Sequence, residues 1–61
     1  METGYIADLT PGALVWNPDA PEWGFGQIQS IIGYRVTVNF ENAGKQLVNL
    51  EHARLEKAGA S

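Results

Sequence analysis

The alternation of apolar and polar residues is strictest over residues 35–40 of this 61-residue chain. The apolar positions of that segment are Val36, Val38 and Phe40, and the polar positions are Arg35, Thr37 and Asn39. Successive side chains of a β-strand point to opposite faces, and β-branched and aromatic residues favour strands. The segment is therefore predicted to be a half-buried strand whose apolar residues face the core.

A second strand is predicted immediately before it, over residues 27–32. Gly33 and Tyr34 separate the two strands, and a glycine followed by a bulky residue suits a type II′ turn. The two strands are thus expected to form a tight antiparallel hairpin. The segment 23–26, Trp-Gly-Phe-Gly, leads into the hairpin, and its glycines indicate a sharp bend or a bulge.

The rest of the pattern predicts further short strands, which cover residues 13–16, 45–50 and 55–58. In the strand 45–50, one face is expected to hold Gln46, Val48 and Leu50, and the other Leu47 and Asn49. Turns are expected at 10–12 and 41–44, where Pro, Asn and Gly supply the required conformations. The segment 17–22 contains two prolines and is predicted to be an exposed loop, neither helix nor central strand. Residues 51–54 are expected to form a single helical turn.

Short strands joined by tight turns, with one helical turn before the last strand, indicate an all-β fold. We predict a small SH3-like (Tudor-like) five-stranded antiparallel barrel over residues 10–58. Closure would remove exposed sheet edges that otherwise promote aggregation. An open β-meander is the alternative. Residues 1–9 are expected to be a flexible N-terminal arm and residues 59–61 a C-terminal tail.

The chain is acidic, with four Lys and Arg residues against seven Asp and Glu residues and a formal net charge of −3. The cations, Arg35, Lys45, Arg54 and Lys57, are scattered along the sequence. Because nucleic-acid binding depends on cations that neutralise phosphates, a protein partner is favoured over direct DNA or RNA binding. There is no cysteine, no apolar run as long as a membrane span and no secretory signal pattern. A cytoplasmic location without membrane contact is therefore expected.

Residues with catalytic chemistry are few. His52 is the sole histidine, and the serines are Ser30 and Ser61. A nucleophile needs a base within reach, and a metal site needs several ligands at a suitable spacing. The segment Gly24-Phe-Gly26 lacks the third glycine and the following helix of a nucleotide-binding loop. We therefore expect a non-enzyme with no cofactor and no metal.

Aromatic residues outside the predicted core are candidates for partner binding, because Trp and Tyr are enriched at the energetic centres of interfaces. For Trp16 and Trp23, both a core and an interface position remain open. A cage for a methylated cation would need several such rings and is a less favoured alternative. The polar face of the hairpin offers hydrogen bonds to a partner strand, although a simply solvated face fits the pattern equally well. The predicted partner-binding residues are Trp16, Trp23, Phe25, Gln27, Gln29, Tyr34, Arg35 and Asn39.

The segments 11–18, 23–31 and 36–45 carry the motifs Pro-Gly, Trp-Gly-x-Gly and Val-Asn-Phe. With them the chain resembles, from Leu9 to Lys57, a family of small uncharacterised bacterial domains (DUF3553-like) found chiefly in alphaproteobacteria. More distantly, it is similar to the Tudor-like C-terminal domains of UvrD/PcrA-type repair helicases and to the RNA-polymerase-interacting domains of CarD-type regulators. The resemblance implies an SH3-like barrel that docks onto the β subunit of RNA polymerase. The helicase domains tend to be basic and tethered to an enzyme, whereas this chain is acidic, which speaks against DNA contact.

The expected function is a non-catalytic protein-interaction module, a transcription- or repair-associated adaptor that docks on RNA polymerase or a related complex. The alternative is a nucleic-acid-binding module that uses the scattered cations and exposed aromatics. A third hypothesis is a structural subunit of a larger assembly, which predicts self-association.

Overall fold

The computed structural model describes residues 9–58, which form one antiparallel sheet of five strands. The elements are β1 (Leu14–Trp16), a 3₁₀ helix (Pro21–Trp23), β2 (Phe25–Ile32), β3 (Arg35–Phe40), β4 (Gly44–Asn49) and β5 (Glu56–Lys57). Their order across the sheet is β4-β3-β2-β1-β5. The prediction of an all-β fold with five antiparallel strands is confirmed. Over the described residues β4 and β5 are the edges and do not pair with each other, so the sheet is not closed into a barrel.

The β2–β3 hairpin turns at Gly33 and Tyr34, as predicted, with Ile32 paired to Arg35. Gly33 has a φ of +60°, whereas Tyr34 has no positive φ. A positive φ at the first central position alone is what a type II′ turn requires. The carbonyl oxygen of Tyr34 accepts a hydrogen bond from Leu50 N at 2.8 Å, which ties the hairpin to the chain after β4.

A β-bulge in β2 was not predicted. The pairing with β3 shifts between Ile28 and Ser30, which leaves Gln29 as the additional residue. A bulge places two residues of one strand opposite one residue of the other and so shifts the alternation beyond it. Ile28 is buried and Ile31 packs against the core, whereas Gln29 and Ser30 are both exposed. The bulge thereby brings two isoleucines that are three positions apart onto the same face.

The core lies on one face of the sheet, and its largest side chain is that of Phe40, which is 2% exposed. The alternation predicted for β3 and β4 is confirmed, with Val48 buried and Leu47 exposed. Leu9, which the prediction placed in the N-terminal arm, is buried in the core. Residues 1–8 and 59–61 lie outside the described residues. The buried core consists of Leu9, Val15, Ile28, Val36, Val38, Phe40, Val48 and Leu55.

The connection between β1 and β2 contains a helix that the prediction excluded. Pro21 begins the 3₁₀ helix, where the lack of a backbone N–H costs nothing. Upstream, Asn17 is buried, and its Oδ1 accepts a hydrogen bond from Asp19 N at 2.8 Å. The N–H of Ala20 donates to the carbonyl oxygen of Asn17 at 3.0 Å. Local side-chain and backbone bonds therefore shape this connection, although its two prolines had suggested an irregular loop.

The single helical turn predicted for residues 51–54 is present only as a hydrogen-bonded turn with one i→i+4 bond, and it is not continued into a helix. The carbonyl oxygen of Asn49 accepts bonds from His52 N at 3.0 Å and Ala53 N at 2.9 Å. Its side-chain Oδ1 accepts a third bond from Glu51 N at 2.9 Å. Asn49 therefore satisfies the backbone of the turn with both of its acceptors, and no helical extension is needed.

Candidate functional site

The face of the sheet that points away from the core, here called the outer face, brings together several of the predicted partner-binding residues. Trp16 on β1 is paired with Phe25 on β2, and Gln27 on β2 is paired with Asn39 on β3. Residues paired across an antiparallel sheet have Cβ atoms about 4.5–5.5 Å apart on the same face. Trp16 is partly buried, and Phe25 is 50% exposed. An aromatic pair and an amide pair thus lie in adjacent positions of the outer face.

An open hollow of about 520 Å³ lies beside the aromatic pair. It is lined by Trp16, Pro21, Gly24, Phe25, Lys57 and Ala58. Strands β1 and β2 supply the aromatics, the β1–β2 connection supplies the proline and glycine, and the chain at β5 supplies the last two residues. Its volume falls within the range of about 300–1,000 Å³ that is typical of ligand pockets. We call it the Trp16–Phe25 hollow.

The turn between β3 and β4 holds the rim of the hollow in place. Glu41 N donates to the carbonyl oxygen of Phe25 at 2.8 Å, and Glu41 Oε2 accepts a bond from Phe25 N at 3.0 Å. Asn42 N donates to the carbonyl oxygen of Trp23 at 3.0 Å, and Asn42 Nδ2 to that of Glu22 at 3.2 Å. The 3₁₀ helix and the start of β2 are therefore fixed to a distant turn, which orients the exposed ring of Phe25.

Gly24 is the point at which this arrangement requires glycine. Its φ is +78°, and a Cβ built on it would stand 2.5 Å from Glu41 Cγ and 2.8 Å from Asn42 Nδ2. The bend predicted for the segment 23–26 is present at Gly24, and the close approach is to two side chains. No bulge occurs there, since the shift of register lies further along β2.

Trp23 belongs to the packing of the core. Its ring centroid lies 5.1 Å from that of Phe40, at an interplanar angle of 59°. Tilted aromatic pairs at this separation contribute about 0.5–1.5 kcal/mol beyond their burial. Trp23 is partly buried and packs against the core cluster. Of the two tryptophans, Trp16 lines the hollow and Trp23 supports Phe40 beside it.

Tyr34 and Arg35 are far from the hollow, although both are exposed. They lie at the β2–β3 turn, beyond Ile32, whereas Phe25 starts β2 at the other end. Phe25 and Ile32 are the two ends of this strand, which at about 3.3 Å per residue are roughly 23 Å apart. Gln29 lies in the bulge between them. The predicted residues therefore do not form one site.

Several residues of the hollow were missed by the sequence prediction. Pro21 was assigned to an exposed loop and Ala58 to a closing strand without a role in binding. Lys57 was placed in the same strand and given a role only in the alternative of nucleic-acid binding. Lys57 and Ala58 lie near Trp16 because β1 pairs with β5, with Trp16 opposite Glu56. No local pattern signals this pairing, because it joins residues about forty positions apart. Leu14, which is 49% exposed, could have been recognised as an outward residue from its position next to buried Val15.

The cations of the described residues do not form a stripe. Arg35 lies on β3, Lys45 on β4 opposite Asn39, and Lys57 on β5. Arg54 Nη1 lies 3.9 Å from Glu56 Oε2, and since the two side chains are 63% and 44% exposed such a pair adds only about 0–1 kcal/mol. Among residues 9–58, no three His, Cys, Asp or Glu side chains come together as metal ligands.

A family model described as "Protein of unknown function (DUF3553)" matches residues 9–58. The match coincides with the part of the chain that forms the sheet. No curated protein matches the chain. Within residues 9–58, no helix has the length and apolar character needed to span a membrane.

Proposed function

The chain belongs to the DUF3553 family of proteins of unknown function, and from its outer face we propose that it is a non-catalytic protein-interaction module. The Trp16–Phe25 hollow is the proposed docking site. The main evidence is the aromatic ring of Phe25, which is half exposed at the edge of the hollow. The rim of the hollow is fixed by hydrogen bonds to Glu41 and Asn42. Rigid aromatic anchors of this kind carry much of the energy of protein interfaces.

The proposed ligand is an apolar side chain of a partner protein, presented by an extended segment. Trp16, Pro21 and Phe25 give the hollow apolar walls. Gln27 and Asn39, paired on the outer face, are exposed and lie next to the aromatic pair. Amide side chains there can bond to the backbone of the segment, while the hollow takes its side chain. This division between backbone bonds and side-chain pockets is common in peptide recognition.

We propose RNA polymerase, or a transcription or repair complex that contains it, as the partner, in the cytoplasm. Support comes from the resemblance to the Tudor-like domains of UvrD/PcrA-type helicases and to CarD-type regulators, which argues at the level of the fold. The strand order, in which the last strand pairs with the first, supports an SH3-like (Tudor-like) arrangement of the sheet.

Nucleic acid is the competing partner, and the charge distribution disfavours it. The net charge is −3, and among residues 9–58 Lys57 is the one cationic residue that lines the hollow. Binding to phosphates by several cations would make affinity fall steeply as salt increases. An apolar docking site predicts a much smaller dependence on salt.

Direct titration tests the proposed partner. The fluorescently labelled protein is titrated with nuclease-treated core RNA polymerase, and separately with single-stranded and duplex oligonucleotides, at low and at moderate salt. Saturable binding to the polymerase at both salt concentrations, without binding to oligonucleotides, is expected. Steeply salt-dependent binding to the oligonucleotides, with none to the polymerase, would contradict the proposal.

A further inference from the structure

The two edges of the sheet differ in how far they are protected. β5 is an edge strand of two residues, which offers little backbone for pairing. β4 is an edge strand of six residues, contains no proline, and has Lys45 as its single charged residue. Natural sheets usually protect their edges with short strands, charges, prolines or bulges. In the described chain β4 is thus the edge best suited to accept another strand.

The hydrogen-bond pattern shows which groups of β4 point outward. Leu50 N donates to the carbonyl oxygen of Tyr34, so these two residues form a hydrogen-bonded pair between the ends of the strands. Hydrogen-bonded and non-hydrogen-bonded pairs alternate along an antiparallel ladder. Gln46 and Val48 therefore bond to β3, and the backbone groups of Lys45, Leu47 and Asn49 point away from it. Within residues 9–58, the outward groups of Lys45 and Leu47 have no hydrogen-bond partner.

Leu47 lies at the centre of this edge and is 65% exposed. It is paired with Thr37, so its side chain lies on the outer face of the sheet. A large exposed aliphatic residue in the middle of an uncovered edge is a feature of strand-addition sites rather than of protected edges.

We infer that the β4 edge binds a second copy of the chain, with the two β4 strands antiparallel about a twofold axis at Leu47. This register places each Leu47 opposite its counterpart and each Lys45 opposite Asn49 of the other copy, so no like charges face each other across the strands. Outward backbone groups meet outward groups because the paired positions are all odd-numbered. The Asn49 carbonyl oxygen already accepts bonds from its own turn, so the strands bond through both backbone groups of Leu47 and from Asn49 N to the carbonyl oxygen of Lys45. The symmetric C₂ arrangement is self-complementary, as a twofold interface requires.

The contact is small, and association is correspondingly weak. One added strand gives an interface at the low end of the size range, below about 1,200 Å², which is typical of transient complexes. Each chain carries a net charge of −3. Since like net charges repel and salt screens that repulsion, added salt strengthens the dimer. The inference is independent of the Trp16–Phe25 hollow, which is built at the β1–β5 side of the sheet.

Sedimentation equilibrium over a concentration series up to about 1 mM tests the inference. The expected result is a weight-average mass that rises from one chain toward two and rises earlier at higher salt. Leu47→Lys should hold the mass at one chain and reduce association at least tenfold. Ile32→Lys is the matched control, because Ile32 is 73% exposed on β2, away from the β4 edge. A constant monomer mass, or equal effects of the two substitutions, would overturn the inference.

Amide hydrogen exchange gives a second readout that does not depend on a variant. As concentration rises, the amides of Leu47 and Asn49 should become protected, whereas those of Gln46 and Val48 are protected at all concentrations. Protection that appears at other strands instead would place the contact elsewhere. Protection at Leu47 and Asn49 only after a different protein is added would overturn the second copy as the occupant.

Discussion

Gly26 lies against the ring of Phe40: a Cβ built on Gly26 would stand 2.6 Å from Phe40 Cδ1 and 2.5 Å from Val38 Cγ1. The two residues are paired across β2 and β3. The lack of a side chain on Gly26 provides the space that the ring occupies on the core face. Phe40 in turn supports Trp23, next to the connection that forms the hollow.

Gly26→Ala is expected to destabilise the protein by roughly 1–3 kcal/mol, because overpacking forces neighbouring side chains out of their positions. Urea unfolding measures the loss. The control is Gln27→Ala, at the next and exposed position of the same strand, which should change stability by less than about 0.5 kcal/mol. Equal stability of Gly26→Ala and the unmodified protein would show that the two strands are not packed as described.

Phe40→Ala is expected to cost about 3–5 kcal/mol, which would unfold a domain of this size or leave it barely stable. The reason is the cavity left on the core face together with the loss of the ring contact to Trp23. Circular dichroism and thermal unfolding report the effect. Asn39→Ala, at the adjacent exposed position, is the matched control and should remain folded. A folded Phe40→Ala variant of near-normal stability would mean that the register of β3 is wrong.

The side chain of Glu41 is expected to stabilise the protein by accepting the hydrogen bond from Phe25 N. Glu41→Ala leaves Phe25 N without that acceptor and is expected to cost about 0.5–1.5 kcal/mol, toward the lower value because the bond is exposed. Glu41→Gln keeps a side-chain oxygen and should retain most of the stability. The amide resonance of Phe25 should shift in the first variant and much less in the second. Equal destabilisation by both substitutions would point to the charge of Glu41 rather than to the hydrogen bond.

β3 was predictable from the sequence because it follows a local alternation that burial enforces. The bulge at Gln29 could not be predicted, because the three-residue spacing between Ile28 and Ile31 can be interpreted only once the pairing of β2 with β3 is known. The 3₁₀ helix was missed because proline was taken as a breaker, although it is well accommodated at the first position of a helix.

The candidate site was predictable only in part. Phe25, Gln27 and Asn39 could be named because aromatic residues are frequent at interfaces and alternation places polar residues outward, whereas for Trp16 a core position also stayed open. Their separation from Tyr34 depends on the length of β2, and the inclusion of Lys57 depends on the pairing of β1 with β5. Such long-range contacts have no local signature in the sequence.

The Trp16–Phe25 hollow is the site at which we propose that a partner protein docks. Phe25 and Tyr34 form a matched pair for testing it, since they are 50% and 49% exposed at opposite ends of the β2–β3 hairpin. The most direct measurement is the affinity for core RNA polymerase of the unmodified protein, Phe25→Ala and Tyr34→Ala, after unfolding curves have shown all three to be folded. We expect at least a tenfold loss of affinity for Phe25→Ala, about 1.4 kcal/mol or more, and a change below about twofold for Tyr34→Ala. A loss confined to Tyr34→Ala, with unchanged binding of Phe25→Ala, would contradict this proposal and move the docking surface to the hairpin turn.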